Sequence, residues 1–399
     1  MSHRTVLVSG AGIAGPALAF WLRRHGMVPT VVERAPGVRP GGQSIDVRGA
    51  GREVVRRMGL EDAVRRAGTG EEGVSFVDSA GRSRAAIGVG AFGGEGPTAE
   101  LEILRGELAD VLYAATRDDV EYVFGDHATS IDERDGSVHV GFASGSEREF
   151  DLVVGADGLG SSTRRLVFGD GPHVRPLGLS VAYLTIPRAD TDGMWARWYN
   201  ATGSRVVTLR PDQHGTTRAL LSYLDRPRRW EDLDEAGRAA ELRRVFADAG
   251  WEAPRVLAAL ADSADLYVES VGQVKMSAWT RGRVALLGDA GYCPSPISGM
   301  GTSVSLVGAY VLAAELARHD DHTAAFAAYE STMRPYVERA QKLPPGAPRL
   351  ANPRTRLGIA AFHGVLRVAT SRPVARLLSR LFTTPAETIE LPDAGSVTV

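Results

Sequence analysis

The 399 residues contain a single cysteine, Cys293. One thiol cannot close an intrachain disulfide, which excludes a disulfide-stapled scaffold and favours a reducing compartment, the cytoplasm. A strong charge of either sign is also missing. Lys and Arg total 46 against 48 Asp and Glu, a net charge of -2, which offers no electrostatic footprint for nucleic acid. Lysine occurs only at Lys275 and Lys342, so the basic residues are nearly all arginine, a bias that carries no functional message. No long apolar helix is expected either: residues 290–314 carry no charge, but Pro294, Pro296, Gly299 and Gly301 interrupt them, which suits a buried loop and helix rather than a membrane span. Val6-Leu7-Val8 follows Met1 too closely for an export signal. His319 and His322 share a helical face without a third ligand, and no metal site is expected. A Gly-x-Ser-x-Gly nucleophile turn is absent as well.

The length exceeds that at which a single core stops growing, so two connected domains are expected. An apolar strand at Thr5 to Ser9, a helix from Pro16 to His25 closed by Gly26, and a strand at Thr30 to Glu33 form a βαβ unit. A helix around Arg52 to Met58, a hairpin turning at Asp78 to Gly81, and a helix from Arg105 follow. Short strands between Val120 and Val154, with turns at Asp135-Gly136 and Ser144-Gly145, read as a meander feeding a core strand. Strands at Val181 to Ile186, Val206 to Leu209 and Ala219 to Tyr223, with a helix at Ala239 to Ala249, form a second domain. The strand Arg283 to Leu287 returns to the first. The tail opens on a Pro-rich linker after Lys342 and continues as Arg-rich amphipathic helices around Ile359 to Leu381, which are expected to brace the domains.

Gly10-Ala11-Gly12-Ile13-Ala14-Gly15 lies between the first strand and its helix. There glycines permit a tight turn, close approach of backbone to a diphosphate, and close helix packing, while the helix N-terminus attracts the anion. Pro16 fits the first helical turn because its missing N–H costs nothing there. Glu33 ends the second strand, where a carboxylate accepts hydrogen bonds from ribose hydroxyls and disfavours a 2′-phosphate. This pattern alone does not separate FAD from NAD.

Two later motifs follow strands: Asp157-Gly158-Leu159-Gly160-Ser161-Ser162-Thr163-Arg164, and Arg283-Val284-Ala285-Leu286-Leu287-Gly288-Asp289-Ala290. With them the chain, from about residue 5 to 340, resembles the group A flavin monooxygenases, whose fold is similar to that of para-hydroxybenzoate hydroxylase and which include tetracycline-inactivating and polyketide-tailoring branches. The resemblance implies an α/β fold: a discontinuous Rossmann-like FAD-binding domain, an inserted antiparallel-sheet substrate domain, and C-terminal helices. It divides the chain into 1–174 (with substrate-domain strands near 72–100), 175–275, 276–340 and 341–399.

By the same resemblance, Asp289 binds the ribityl or pyrophosphate part of non-covalent FAD. Pro296, Gly299, Gly301 and Thr302 belong to the loop around the isoalloxazine, with the following helix aimed at its pyrimidine edge. Asp157, with Arg164, belongs to a fingerprint associated with FAD and NAD(P)H, and Arg105 reaches FAD from a helix start. Asp46 and Arg48 belong to a loop against the flavin. Gly10, Gly12, Ala14, Gly15, Glu33 and Arg34 complete the expected cofactor side. The sequence departs from the family at Tyr292, where a histidine is usual, and at Gly308, where an aspartate is common.

The activity implied is hydroxylation of an aromatic, phenolic or polyketide-like molecule with NADPH or NADH and molecular oxygen, through a flavin C4a-hydroperoxide. Tyr183, Trp195, Trp198, Tyr199 and Tyr223 are candidate substrate contacts, and no side chain is named as catalytic. Without a second dinucleotide fingerprint, the nicotinamide is a transient partner. The Trp-x-Trp-x-Ile-Pro pattern of flavin halogenases is not present. The alternatives are an oxidase or dehydrogenase of the same fold without oxygen insertion, and a non-catalytic flavoprotein that sequesters a ligand. A monomer or weak homodimer is expected.

Overall fold

The computed structural model describes residues 4–89, 101–171, 173–226, 230–371, 374 and 389–392. Val6, Leu7 and Val8 are apolar in succession, and all three are fully buried, as a central parallel strand covered on both faces requires. Their strand, Thr5–Ser9, runs parallel to Val28–Glu33 on one side and to Leu152–Gly155 on the other. The complete sheet has the order Thr280–Arg281, Val284–Leu286, Leu152–Gly155, Thr5–Ser9, Val28–Glu33, Glu121–Phe124. Its strands therefore come from three separated stretches of sequence.

Helices Ala14–Arg24 and Gly301–Arg318 cover one face, packing Leu18, Leu22, Val307 and Val311 into the largest core. Each such fully buried side chain contributes about 1.5–3 kcal/mol of transfer free energy. The meander Ala128–Arg134, Ser137–Phe142 and Glu147–Phe150 covers the other face, with Val138, Val140 and Phe150 against Leu7, Val32 and Val153.

A second, seven-stranded sheet has the order Tyr267–Val274, Val174–Pro187, Thr216–Leu224, Arg205–Pro211, Trp195–Ala201, Gly73–Val77, Ser83–Gly88. It is antiparallel except where Trp195–Ala201 meets Gly73–Val77. Alternation along Thr216–Leu224 sorts its two faces. Ala219, Leu221 and Tyr223 pack against helices Glu235–Phe246 and Ala253–Ala259, whereas Leu220 and Leu224 join Leu179, Val181, Tyr183 and Ile297 on the opposite face. That opposite face is the one turned toward the 296–301 loop.

Several boundaries differ from expectation. The helix expected at 239–249 is Glu235–Phe246, because the Asp234 carboxylate accepts the Gly237 N–H at 2.8 Å and caps it earlier. The helix expected from Arg52 begins at Gly49. The proline-rich linker holds a short helix, Ala347–Ala351. The C-terminal helix is Arg356–Ala369, with Phe362 and Leu366 on Val74 and Phe76. The expected strands between 90 and 100, and most of the expected helix from 372 to Leu381, lie outside the described residues. Among the described residues no helix is long and apolar enough to cross a membrane.

Candidate flavin site

Three glycines shape the turn after the first strand. Gly10 has φ +109°, and a Cβ there would lie 2.6 Å from the Ala156 carbonyl oxygen; a Cβ on Gly15 would lie 1.9 Å from the Gly10 carbonyl oxygen. Neither position accepts a side chain. A Cβ on Gly12 would sit 3.2 Å from an Arg105 guanidinium nitrogen, so this gap brings Arg105 over the turn. Among the described residues the Arg105 guanidinium has no hydrogen-bond or ion-pair partner. Ala14 opens helix Ala14–Arg24, which has neither a side-chain cap nor an acidic residue in its first turn. Its first amides are free to bind an anion.

The same is true of Gly301–Arg318, which begins at Gly301 and Thr302 without a side-chain cap. Among the described helices of 11 residues or more these two are alone in this, since Asp234, Asp321 and Thr355 cap the others.

Glu33 is anchored rather than loose: its carboxylate accepts the Ala11 N–H and the Ala35 N–H, each at 2.9 Å. Arg34 is exposed, and the cation near Glu33 is Arg39, at 3.8 Å.

Asp157 turns its carboxylate into the start of helix Ser162–Phe168. There it accepts from the Ser161 hydroxyl at 2.5 Å, the Ser162 hydroxyl at 3.0 Å, and the Thr163 N–H and hydroxyl at 2.9 and 3.1 Å. Those bonds consume its acceptors, so any effect of Asp157 on a cofactor passes through the backbone it shapes. Arg164, buried, donates to the Ala290 carbonyl at 2.7 Å and the Leu159 carbonyl at 2.6 Å, tying the two later motifs together.

Asp289 opens the short helix Asp289–Tyr292. A Cβ on the preceding Gly288 would meet Ser305 Oγ at 2.8 Å and the Ala14 Cβ at 3.3 Å, so this backbone is wedged between the two uncapped helices. Burial raises the Asp289 carboxyl above its ordinary range, against the Cys293 thiol and the Arg105 charge, which favour its ionised form. Pro296–Ser298 is a single 3-10 turn, and Gly299 follows with φ +64°. Asp46 and Arg48 pair at 2.7 Å. The Arg48 N–H donates to Ser303 Oγ at 3.0 Å, and that hydroxyl donates back to the Arg48 carbonyl at 3.1 Å, fastening this loop to the start of Gly301–Arg318.

A family model described as an FAD binding domain matches residues 3–343. The chain belongs to that family. It is an FAD-dependent monooxygenase, and its relatives carry that name: asL6 of Sarocladium schorii, an FAD-dependent monooxygenase, is 37% identical over 416 residues and covered to 97% on both sides. The uncharacterized protein Rv1260 of Mycobacterium tuberculosis is 42% identical, over 86% of this chain and 95% of its own. The crystal structure of tetracycline destructase Tet(51) superposes with a TM-score of 0.81 at 32% identity, covering 98% of this chain and 99% of that one.

FAD fits the residues present. A cradle that no side chain could enter, an unpartnered arginine beside it, and two uncapped helix starts offer donors for a diphosphate and an electron-rich ring edge.

The departure at Tyr292 has a structural partner. Its hydroxyl pairs with that of Tyr329 at 2.8 Å, and the Tyr329 hydroxyl donates to the Leu286 carbonyl at 3.0 Å. A Cβ on Gly308 would lie 2.2 Å from the Tyr292 oxygen, so Tyr292 and Gly308 depart from the family together because one fills the space the other vacates. Cys293 is buried, and burial pushes its thiol well above the ordinary value, a poor setting for thiolate chemistry.

The five candidate aromatics do not converge. Tyr183 faces the flavin-loop side and stacks on Tyr267 at 6.4 Å. Tyr199 and Tyr223 turn to the helix-covered side, Trp198 packs on Phe76, and the Trp195 indole donates to Glu72 at 2.7 Å. Sequence reasoning missed Tyr267 and Glu269, which join Tyr183 on the flavin-loop face. The Tyr267 hydroxyl donates to Glu269 at 3.1 Å. Burial pushes the Glu269 carboxyl up to about 7, with Asp289 adding to the shift and Tyr267 and Arg105 opposing it. Nothing local marks this strand; only the fold brings it to Asp289 and Arg105.

Proposed function

We propose that the chain uses NAD(P)H and molecular oxygen to hydroxylate an aromatic, phenolic or polyketide-like small molecule. One observation carries this reading most: the 296–301 loop, through Ile297, packs against Leu179, Val181, Tyr183 and Leu220 on the sheet face opposite the covering helices. A ring held there would lie between an apolar sheet and the flavin loop, the position a substrate needs for oxygen transfer in a dry pocket. The name of Tet(51), a tetracycline destructase, supports a polycyclic substrate class.

FAD, when bound, supplies the redox chemistry and the activation of oxygen. The chain supplies the rest. The amides of Gly12 to Gly15 and the Arg105 guanidinium would hold the diphosphate, Glu33 would accept from the ribose, and Asp289, at the ribityl or diphosphate end, would accept from a ribityl hydroxyl. Pro296 to Thr302 wrap the ring, and the helix start at Gly301 stabilises negative charge at its pyrimidine edge. The Asp46–Arg48 loop closes one side, and Asp157 shapes the turn beside the glycines. Reductant docks transiently.

The experiment is spectrophotometric. NAD(P)H oxidation by the purified protein should be slow alone and should accelerate when a phenol or polyketide from a broad panel binds. No acceleration by any member of the panel would overturn the reading and leave a ligand-sequestering flavoprotein.

A further inference from the structure

Carboxylates outnumber cations where the seven-stranded sheet meets the Asp46–Arg48 loop. Arg210, at the end of strand Arg205–Pro211, donates from Nε and Nη2 to the two oxygens of Glu71, each at 2.9 Å. The same Nη2 lies 3.0 Å from Glu102 Oε1. The side chains of Glu71 and Glu102 are 1% and 5% exposed. Glu102 stands opposite Asp46 in the two-stranded ladder of Ser44–Asp46 with Glu102–Leu104, and Asp46 is already engaged by Arg48. Because Arg48 is fastened to Ser303, this cluster borders the side of the site assigned above to the flavin ring.

Arg210 turns its Nε–H and one Nη2–H to Glu71, and its approach to Glu102 is an ion-pair contact without hydrogen-bond geometry. Burial, with Glu71 and Asp46 adding and Arg210 opposing, pushes the Glu102 carboxyl up to about 8. Ser44 sits close enough to favour the ionised form, yet neither Glu102 oxygen receives a well-formed hydrogen bond. Two further polar atoms on the same face are also open. Thr208, two residues before Arg210 on its strand, is 4% exposed with its hydroxyl unpartnered. Trp198, its cross-strand neighbour, leaves its indole N–H unpartnered.

Buried polar atoms are costly to leave unpaired, so a face that keeps four of them open, two on Glu102 and one each on Thr208 and Trp198, is arranged for a ligand to complete. The cations at this end of the face are closed to an anion. Arg210 is held by Glu71, and Arg218 by Asp212 at 2.9 Å and Asp265 at 3.4 Å. An anionic ligand would meet the carboxylates of Glu71 and Asp46 with neither Arg210 nor Arg218 free to balance it.

We propose that Glu102, Thr208 and Trp198, backed by the Glu71–Arg210 pair, form the specificity site of this monooxygenase, which takes an uncharged ring through its hydroxyl or amino donor and rejects a carboxylate. Glu102 accepts that donor, and Thr208 and Trp198 engage the acceptor atoms of the ring system. The inference rests on the substrate lying between sheet and flavin loop, as proposed above.

The test is binding to the FAD-loaded protein without reductant, read from the visible flavin spectrum and by calorimetry. Three probes share one ring system: 2-naphthol, 2-naphthoate and 2-methoxynaphthalene. At pH 7, 2-naphthol should bind at least about tenfold more tightly than either of the others, the scale of one well-placed polar contact. Glu71→Gln combined with Glu102→Gln, which together release Arg210 from both of its carboxylates, should improve 2-naphthoate binding by about tenfold and narrow the preference for 2-naphthol. Wild-type protein that binds 2-naphthoate as tightly as 2-naphthol, or shows no saturable 2-naphthol binding, overturns the proposal, as does an unchanged preference in that double variant.

If the double variant does not load FAD, Glu102→Gln alone, which exchanges the carboxyl for an amide of the same shape, must narrow the preference for 2-naphthol; an unchanged ratio overturns the proposal equally. The two readings fail separately. A protein that inserts oxygen but prefers 2-naphthoate loses only the specificity site, and one that ranks the probes as expected but inserts no oxygen loses only the monooxygenase reading.

Discussion

The cofactor side and the sheet side of the site treat polar groups in opposite ways. Around Gly10 to Gly15 and Gly301 the chain leaves donors open: two long helices start without side-chain caps, and the Arg105 guanidinium has no partner among the described residues. On the sheet face of the site, guanidinium groups are closed by carboxylates, Arg210 by Glu71 and Arg218 by Asp212. Open donors suit a ligand that brings its own negative charge, a diphosphate and an electron-rich ring edge. Closed pairs suit one that brings none.

The comparison breaks most visibly at Arg210. Arg210→Met should destabilise folding by about 3–5 kcal/mol, because the Glu71 carboxylate would remain buried without its cation; denaturant unfolding of the FAD-loaded protein measures it. A loss below about 1 kcal/mol would mean that the pair is not closed in solution.

Arg105→Ala, on the open side, should instead act on the cofactor. Losing a charge-assisted contact of about 1.5–3 kcal/mol corresponds to roughly a tenfold to hundredfold weaker FAD dissociation constant, with little change in apoprotein stability since no partner is stranded. Asp289→Ala should weaken FAD over a similar range, and Tyr199→Phe and Tyr223→Phe should not, because those rings face the helices. Equal FAD affinities for wild type and Asp289→Ala would contradict the assignment.

A pH effect sharpens the contrast further. Burial raises the Glu102 carboxyl from an ordinary 4.5 to about 8, so the folded state keeps a proton that the unfolded chain releases. Stability contributed by that proton is fully present below the unfolded value and is lost as pH climbs through about 8. The melting temperature should fall between pH 6 and pH 9, and Glu102→Gln should flatten that fall. An identical slope in both proteins would remove Glu102 as its source.

The smallest effect concerns the paired departures. Tyr292→Phe should cost about 1 kcal/mol through its lost bond to Tyr329. Gly308→Ala should be destabilising beside Tyr292 and milder beside Phe at 292, a coupling read from a double-mutant cycle. Additive effects would separate the two positions.

Much of the cofactor side was legible in the sequence because its parts are local. The glycines, Glu33, and the Gly288-Asp289 step each sit at a fixed offset from a strand, and the sequence order states that offset. Asp157 was legible as a motif but not in its manner of acting, since its carboxylate is spent on Ser161 to Thr163. The sheet side was not legible. Glu71, Glu102 and Arg210 come from three strands or strand edges far apart in the chain, and nothing in their neighbourhoods signals that they meet. The aromatics at 199 and 223 were proposed from residue type alone, and strand alternation turned them the other way. The departures at 292 and 308 could be seen in the sequence, while their shared cause needed the distance between them.

The account stands or falls on the origin of one oxygen atom. Turnover of a bound phenol or polyketide under isotope-labelled dioxygen, followed by mass analysis, should give a product heavier by one labelled oxygen, with one NAD(P)H consumed per product in a well-coupled reaction. A product that carries oxygen from water, or that has lost hydrogens and gained no oxygen, would contradict the proposed hydroxylation and leave an oxidase or dehydrogenase on this fold.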